Sequence, residues 1–409
     1  MFLFVVDRFG VYPHIKFSQR VKLNTWDKET NKWTVETVSG EKYIGNVIIS
    51  GCGGLHVPKY PDFLGMEDFE GEAFHTARWK ADYDPTDKAV AIIGTGASAV
   101  QTVPNLADTE VKSLTVFQRT PCWSPPRLDF AYPEWSKTMF AMIPFTNTIH
   151  RWFYFWRNEY LFRIIFSRSN WLTKKMSAGV HKLIRKHVRK VVKNPDLAKK
   201  LIPSFDMGCK RITPSDTYLS AFNKENVHLE TEKIKKFTSN GILTEDGKEH
   251  IFDTIVYATG FDLQESAKPF EQYGSKGKMT DDYGDAPIAY LGITHPHHPN
   301  FFLLLGPGTG LGHNSIIYMI ECQADYACDG IVKMINSGAK SMAVKPEVLK
   351  IYGDFVQENM KGKVFADNSQ CTGWYRNARG FNWTLWPLDL VTYWWYTKTC
   401  NMKDYSLRY

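Results

Sequence analysis

The chain of 409 residues lacks the sequence signals of several common protein classes. No uncharged run approaches the roughly 20 apolar residues that a membrane-spanning helix requires. Neither a GxSxG nor an HExxH motif occurs, so hydrolase chemistry has no support. There is no internal repeat and no low-complexity segment. The composition, 43% hydrophobic and 23% charged, is that of a globular protein long enough to form two or more domains.

Cysteine and excess charge are informative mainly by what is missing. The seven cysteines are scattered and include no CxxC pair. An odd number without the spacing of disulfide or metal sites fits a reducing compartment, so we expect a cytoplasmic protein. The net charge of +7 is modest and its excess lies mainly in one stretch, which argues against a nucleic-acid partner.

The nearest approach to a metal site is the tract His295-Pro296-His297-His298. Near-adjacent histidines in a loop that contains proline cannot easily turn toward one ion. No other histidines and cysteines fall at the spacing of zinc ligands. The sequence therefore predicts no metal site.

The most informative stretch is a GxGxxA turn between two apolar runs. Lys88–Ile93 is predicted to be a buried parallel strand, and Leu114–Phe117 a second one. Glycines in such a turn let the backbone approach a pyrophosphate, and the helix that follows directs its positive dipole end at the phosphates. We predict dinucleotide binding here, with a glycine-rich turn of an unrelated α/β domain as the alternative. The turn consists of Gly94, Thr95, Gly96, Ala97, Ser98 and Ala99.

The end of the second strand indicates which dinucleotide binds. An NAD site usually carries Asp or Glu there, to accept hydrogen bonds from the ribose hydroxyls. This chain has Gln118-Arg119 instead. A guanidinium suits the 2′-phosphate of NADPH, so NADPH is the predicted coenzyme. The alternative is that Arg119 is a solvated surface residue.

Just upstream lies the string Phe69-x-Gly71-x-x-x-His75-x-x-x-Trp79. With the turn, it resembles the fingerprint of type I Baeyer–Villiger monooxygenases of the flavin-containing monooxygenase superfamily, closest to the 4-hydroxyacetophenone monooxygenase-like subgroup. Those enzymes use FAD and NADPH to insert oxygen beside a ketone carbonyl. Lys80 stands where the family often carries proline. The resemblance makes the string part of the hinge between two nucleotide domains.

The resemblance implies an α/β fold with two interleaved Rossmann-like, dinucleotide-binding domains and a helical insertion. Residues 1–68 and 262–409 would belong to the FAD-binding domain. Residues 69–128 and 203–261 would form the NADP-binding domain, and residues 129–202 the insertion. Flavoproteins of this class open with a strand and a GxGxxG turn that hold the ADP half of FAD. Residues 1–60 supply no such turn, so the first FAD-binding βαβ unit is expected to be missing.

The resemblance also assigns site residues. Arg211 matches the arginine that stabilises the peroxide anion in that family, and Lys210 would join Arg119 at the 2′-phosphate. Thr259 and Gly260 match the second crossing between the domains. Asn314 follows a glycine-rich segment that lies beside the flavin ring in that family. From the sequence alone, a Lys-Arg pair is most often an ordinary surface pair.

Residues 129–202 combine aromatic and basic side chains. Three hypotheses compete: a helical insertion that covers the active site, weak contact with an acidic membrane surface through residues 150–193, and a nucleic-acid patch. The resemblance favours the insertion.

Together these features predict an FAD- and NADPH-dependent monooxygenase that uses dioxygen and oxygenates a small organic substrate. The favoured reaction is Baeyer–Villiger insertion at a ketone, giving an ester or lactone. One alternative is an N- or S-oxygenating flavin monooxygenase, whose fingerprint usually ends in tyrosine rather than Trp79. The other is a non-catalytic NADP-binding or membrane-surface derivative of the family.

Overall fold

The computed structural model describes residues 2–167, 170–367, 371, 375–377 and 379–409. In chain order, the strands are β1 (Val21–Asp27), β2 (Lys32–Thr37), β3 (Lys42–Gly45), β4 (Ile48–Ser50), β5 (Glu72–His75), β6 (Ala89–Ile93), β7 (Ser113–Phe117), β8 (Val227–Glu230), β9 (Ile234–Thr238), β10 (Gly241–Thr244), β11 (Glu249–Ile251), β12 (Thr254–Tyr257), β13 (Glu271–Tyr273), β14 (Phe301–Leu303), β15 (Ser341–Val344) and β16 (Tyr405–Arg408). The helices are α1 (Phe2–Arg8), α2 (Ala97–Ala107), α3 (Glu134–Met142), α4 (Thr146–Phe166), α5 (Trp171–Val191), α6 (Pro195–Lys200), α7 (Tyr218–Ala221), α8 (Leu263–Ser266), α9 (Met279–Tyr283), α10 (Ile316–Asn336), α11 (Pro346–Met360), α12 (Val364–Asp367) and α13 (Leu390–Thr397).

A five-stranded parallel sheet has the order β5-β12-β6-β7-β8. Its inner strands are nearly continuous apolar runs because both faces are covered; Val90, Leu114 and Val116 are fully buried. Helix α2 packs on one face through Ala99 and Val103. The antiparallel sheet β9-β10-β11 packs on the other. The predicted unit of strand, turn, helix and strand is confirmed.

Two separate segments of the chain build this sheet. Strands β5, β6 and β7 lie within residues 72–117, and β8 and β12 lie within residues 227–257. Between them come the helices α3 to α7. Of these, α3 to α6 lie within residues 129–202, so this region is helical as predicted. Helix α4 buries Phe162 and Phe166 in the same core as α10. Within the described ranges, none of the helices combines the length and apolar character needed to cross a membrane.

Two of the smaller sheets join the start of the chain to its second half. Strand β1 pairs in parallel with β13, with Leu23 opposite Glu271, and antiparallel with β2. Strand β4 pairs in parallel with β14, and β15 pairs antiparallel with β16. Around them lies the largest apolar cluster, which includes Met319, Tyr326 and Met334 of α10. The sequence pattern predicts a long helix over Ile316–Asn336, and helix α10 has these bounds.

The first 20 residues differ from the prediction. The sequence pattern predicted short strands throughout residues 1–60, including one at His14–Val21. The structure instead has the helix α1, a 3₁₀ turn at Tyr12–His14 and a strand that begins only at Val21. Pro13 lies in the first turn of this 3₁₀ segment, where its fixed φ and its missing N–H are tolerated.

Candidate active site

The GxGxxA turn has one glycine that the fold requires and one that leaves open space. Gly94 adopts φ +114°, and a Cβ there would lie 2.6 Å from the carbonyl oxygen of Ala258. Its N–H donates to the carbonyl of Phe117 at 3.1 Å, which fixes the turn between β6 and β7. Gly96 has φ −78°, and a Cβ there would meet no atom within 4 Å. The backbone at Gly96 is therefore accessible to a ligand.

Helix α2 begins directly after Gly96, whose carbonyl accepts from Val100 at 3.0 Å. The N–H groups of Ala97, Ser98 and Ala99 belong to the first turn of the helix and have no intrahelical acceptor. Gly96 has no side chain to cap them. This helix terminus therefore offers the donors and the positive dipole end that a pyrophosphate needs.

The turn is connected to the segment that follows β7. Thr95 Oγ1 donates to the carbonyl of Thr120 at 2.7 Å, next to the exposed Arg119. Gln118 is buried instead, and its Nε2 donates to the carbonyl of Lys200 at 2.8 Å. Gln118 thus holds the end of α6, and Arg119 is the side chain that is free to meet a ligand.

Lys210 lies close to Arg119. Burial lowers the pKa of the Lys210 ammonium below its ordinary value, and the positive charge of Arg119 lowers that pKa further. Across the described residues, no carboxylate lies within ion-pair distance of either cation. Two neighbouring cations without a counterion form an anion site, as a 2′-phosphate requires.

The loop that carries Lys210 and Arg211 is fixed by buried hydrogen bonds. The carbonyl of Trp123 accepts from the N–H of Thr213 at 2.9 Å and from its hydroxyl at 3.2 Å. Trp123 Nε1 donates to the carbonyl of Phe205 at 3.0 Å, and the N–H of Met207 donates to His181 Nε2 at 3.1 Å. Both sides of the Lys-Arg pair are therefore anchored.

A disulfide bond also holds this loop. Cys209 and Cys371 are bonded with their Cα atoms 4.8 Å apart, and both are buried beside Trp123 and Val364. This corrects the expectation, drawn from scattered spacing, that the cysteines carry no disulfide. The two residues are 162 positions apart, so no local spacing indicates the pair.

Arg211 is exposed, in contrast to Cys209 and Lys210 before it. Burial raises the pKa of Tyr375 to about 12, while the charge of Arg211 acts in the opposite direction, so the guanidinium lies near this phenol. No ion pair to Arg211 exists among the residues that the structure describes. The guanidinium is thus available to a reacting group.

The fingerprint residues have mainly structural contacts. A Cβ at Gly71 would overlap the Phe69 ring and lie 2.6 Å from the carbonyl oxygen of Asp253, so only glycine fits. Phe69 is buried in the core beneath the sheet. Trp79 is 41% exposed and meets the Phe74 ring edge-on at 5.1 Å. Trp79 therefore packs at the surface.

His75 connects the fingerprint string to residues 258–262, the segment that follows β12. It is fully buried at the end of β5, opposite Tyr257 at the end of β12. Its Nδ1 accepts from the N–H of Ala77 at 3.0 Å. Burial lowers the pKa of His75, and the carbonyl of Gly260 partly opposes that shift. The imidazole is therefore neutral and lies against the segment that contains Gly260.

The segment that follows β12, residues 258–262, runs beside residues 57–59. The Thr259 hydroxyl donates to the carbonyl of Lys59, and the N–H of Lys59 donates to the carbonyl of Gly260 at 2.9 Å. The N–H of Asp262 donates to the carbonyl of Val57 at 2.9 Å. Gly260 adopts φ +86°, which favours glycine. Three hydrogen bonds therefore hold these two segments together.

Asn314 makes contacts that the sequence did not predict. Its Nδ2 donates to Glu159 Oε1 on α4 and, at 3.4 Å, to the carbonyl of Phe155. Glu159 is buried, and its other oxygen accepts from the N–H of Leu390 at 3.0 Å. The Asn314 side chain therefore ties the start of α10 to α4. The sequence pattern does not single out Glu159, because α4 contains several other polar residues among its aromatic ones.

The glycine-rich segment 306–312 is partly occupied by protein backbone. The N–H groups of Gly308 and Gly310 donate to the carbonyls of Trp383 and Thr384 at 2.8 and 2.7 Å. The carbonyl of Gly310 accepts from Trp386 at 2.9 Å. These donors are satisfied within the chain, so this segment offers less to a ligand than the turn at Gly96.

The histidine tract also differs from the prediction. The rings of His295, His297 and His298 converge on Asp282, beside a cavity of about 430 Å³. The geometric reason for excluding a metal site is therefore wrong. Asp282 lies on α9, 13 positions before His295, and no local pattern in the sequence associates it with the tract.

Comparisons with known proteins agree with this arrangement. The flavin-binding monooxygenase-like family model matches residues 2–272. A Baeyer–Villiger monooxygenase of Pseudomonas aeruginosa is 35% identical over 382 residues, which cover 91% of this chain and 71% of that protein. A Baeyer–Villiger monooxygenase of Streptomyces coelicolor is 34% identical over 405 residues, covering 98% and 76%.

Two solved structures with the same fold are complexes with NADP, and one of them also contains FAD. A steroid monooxygenase bound to NADP superposes with a TM-score of 0.83 at 25% identity, covering 99% of this chain and 83% of that one. OTEMO in complex with FAD and NADP gives a TM-score of 0.85 at 25% identity, covering 98% and 83%.

The fold and the site define a nucleotide-dependent oxidoreductase of the α/β class. The chain belongs to the flavin-binding monooxygenase-like family. It is an FAD- and NADPH-dependent monooxygenase, and the prediction of a Baeyer–Villiger type is confirmed. The prediction that the first FAD-binding unit is missing stays a prediction.

Proposed function

We propose that this enzyme oxygenates a ketone to an ester or lactone and that Arg211 is its catalytic residue. The observation that carries the proposal is the Lys210-Arg211 loop. It holds two cations without a carboxylate partner among the described residues, next to the nucleotide turn, and it is anchored by the Trp123 hydrogen bonds and the Cys209–Cys371 disulfide. Such fixed positive charge is what an oxygenation step that builds up negative charge requires.

NADPH fits the residues that are present. The open space at Gly96 and the unpaired first-turn N–H groups of α2 suit the pyrophosphate. Arg119 and Lys210 suit the 2′-phosphate, since they are adjacent cations at the end of β7. In this proposal, residues 69–128 and 203–261 form the NADP-binding domain. The five-stranded sheet supports that division, because it draws strands from these two segments only.

For FAD, the fit is to the part near the active site. Residues 1–68 and 262–409 would contribute the FAD-binding domain, supported by the pairing of β1 with β13 and β4 with β14. Among the described residues, the turn at Gly94 is the single GxGxxA or GxGxxG motif that lies between a strand and a helix. Thr259 and Gly260 would orient the domains, and Asn314 would position the start of α10. FAD, when bound, takes hydride from NADPH and activates dioxygen.

Arg211 would act through its charge and its shape. A guanidinium cannot lose its proton at neutral pH, so it keeps a full positive charge beside a developing oxyanion. Its planar fork can donate two hydrogen bonds at once. Because the loop on either side is fixed, little reorganisation is needed when negative charge appears on the substrate oxygen.

The test is Arg211→Ala in a preparation that contains FAD. Ester formation should fall about 10²–10³-fold, the usual effect of removing one preorganised donor. NADPH oxidation should continue and end in hydrogen peroxide. Arg211→Lys should restore little, and Arg189→Ala, an exposed arginine of α5, is the control. Ester formation near the wild-type rate in Arg211→Ala would remove this residue from the mechanism.

Residues 129–202 would form the helical insertion that covers the site. The contacts of α4 with Asn314 and of α5 with Met207 support this role, because both helices reach the proposed active site. Peripheral contact with an anionic membrane is a second candidate role. It is supported by the exposed rings of Trp152, Phe153 and Trp171, which are 63%, 64% and 72% accessible.

A further inference from the structure

Outside the proposed active site, one carboxylate is surrounded by three imidazoles. Asp282 Oδ1 lies 2.8 Å from His297 Nδ1. Asp282 Oδ2 lies 3.2 Å from His298 Nε2 and 3.8 Å from His295 Nδ1. The Asp282 side chain is 19% exposed, His295 is buried, and His297 is 27% exposed. Such a mixed cluster at one point is uncommon for ordinary surface residues.

The positions of the rings are set by the surrounding backbone. The carbonyl of His297 accepts from the N–H of Ser275 at 2.7 Å. A Cβ at Gly274 would overlap that carbonyl and lie 2.6 Å from His298 Nδ1, so glycine is required for this close approach. His298 is fully enclosed and stacks on Trp33 with 10° between the ring planes. The cluster is therefore a built feature of the fold.

The hydrogen bonds also indicate which imidazole nitrogens carry a proton. Gln272 Nε2 donates to His298 Nδ1 at 3.2 Å, so His298 uses its Nε2–H toward Asp282. His295 Nδ1 accepts from the N–H of His297 at 3.4 Å, so it carries a lone pair and no proton. Because that hydrogen bond is long, an ion can take the lone pair in place of the N–H. A deprotonated imidazole nitrogen beside a carboxylate is the donor set that zinc binds.

We propose that Asp282, His295 and His297 bind a divalent transition metal ion, with Zn²⁺ favoured, and that His298 holds the carboxylate in place. One ligand atom from each of the three residues lies within 4.8 Å of the others. Ligands about 2.0–2.1 Å from a tetrahedral zinc ion are about 3.3 Å apart. His297 Nδ1 lies 2.8 Å from Asp282 Oδ1, and His295 Nδ1 lies 3.8 Å from Asp282 Oδ2, on either side of that value. Side-chain rotations that draw the three ligand atoms together from within 4.8 Å would complete the site.

The site has an entrance. Asp282, His295 and His297 line the cavity of about 430 Å³, together with Asp354 and Lys350 of α11. An ion can enter from this side, and a water molecule can complete its coordination there. His298 does not line the cavity, which agrees with a role in orienting Asp282. An ion here would join α9 to the loop before β14, so its role is structural and independent of the proposed oxygenation.

The test uses the full chain after removal of metal with a chelator. Titration with Zn²⁺ alone should show one equivalent per chain, a higher melting temperature and reversal by chelator. Co²⁺ should give the visible absorption of a four-coordinate ion. His297→Gln, which changes a partly exposed side chain, and Asp282→Asn should each weaken Zn²⁺ binding at least about 100-fold. That loss is larger than the loss caused by removing a residue that only hydrogen-bonds to a metal ligand.

The control is His228→Gln, since His228 is exposed on β8 and away from the cluster. It should bind Zn²⁺ like the wild type. Circular dichroism and NADPH binding would show which variants fold, and His297→Gln decides if Asp282→Asn does not. Unchanged Zn²⁺ affinity in a folded cluster variant would overturn the proposal, as would the lack of a saturable equivalent in the wild type.

Discussion

At the scale of single residues, we propose that Arg119 decides the coenzyme preference. It is exposed at the end of β7 and adjacent to Lys210, where the 2′-phosphate would bind. Arg119→Ala should weaken NADPH binding about tenfold, the lower end for a charged hydrogen bond, because solvent screens an exposed pair. Calorimetric titration with NADPH measures this loss.

The same titration with NADH is the control for Arg119→Ala, since NADH lacks the 2′-phosphate. Its affinity should stay almost unchanged. An equal loss for both coenzymes would instead mean that Arg119 supports the structure of the turn.

His75 makes stability depend on pH. Its pKa in the folded chain is below the ordinary value of 6.5, because burial disfavours the charged ring. The unfolded chain therefore binds a proton that the folded chain does not. The His75 contribution is fully present above pH 6.5 and is lost as the pH falls from 6.5 toward the lowered pKa. At most, about 1.4 kcal/mol per pH unit is involved.

His75→Asn should remove this dependence. The asparagine oxygen can accept from the N–H of Ala77 as Nδ1 does, and asparagine is a good helix cap. Urea unfolding of both proteins between about pH 5 and about pH 7.5 should give curves that converge as the pH falls. Curves that stay parallel would show that His75 does not titrate in this range.

At the scale of elements, substitutions at two glycines should separate an effect on NADPH binding from an effect on the stability of the fold. Gly96→Ala adds a Cβ into open space at an ordinary φ, so stability should not fall. NADPH affinity should fall, because that space is where we propose that the pyrophosphate approaches α2. Gly71→Ala should cost about 1–3 kcal/mol of stability, because the Cβ overlaps Phe69 and the backbone of Asp253.

Thermal unfolding and NADPH titration on both variants measure the two effects. Each variant is the control for the other, since both make the same chemical change. A loss of stability without a loss of affinity in Gly96→Ala would place the dinucleotide elsewhere.

At the scale of the whole molecule, the helical region has an aromatic outer surface. If α3 to α6 cover the active site, the protein should stay in the supernatant when anionic vesicles are sedimented. Neutral vesicles are the control. Sedimentation that weakens with salt would support membrane contact through residues 150–193, because charges on a surface are screened beyond about 10 Å at 0.1 M salt.

The sequence by itself determined the features whose forces are local. The unit β6, turn, α2 and β7 could be predicted, because glycine conformation, helix dipole and buried strands are all encoded within about 30 residues. Helix α10 followed from its own pattern and its cap at Ser315. The exposed position of Arg119 beside the turn followed in the same way.

Only the tertiary structure decided which distant residues meet. Cys209 joins Cys371, Asn314 binds Glu159 on α4, and Asp282 meets His297. In each case the partners lie on separate elements, and their distance depends on how helices and strands pack rather than on any local pattern. Packing also decided that the chain before Val21 is helix and turn, because none of the described strands pairs with it in a β ladder.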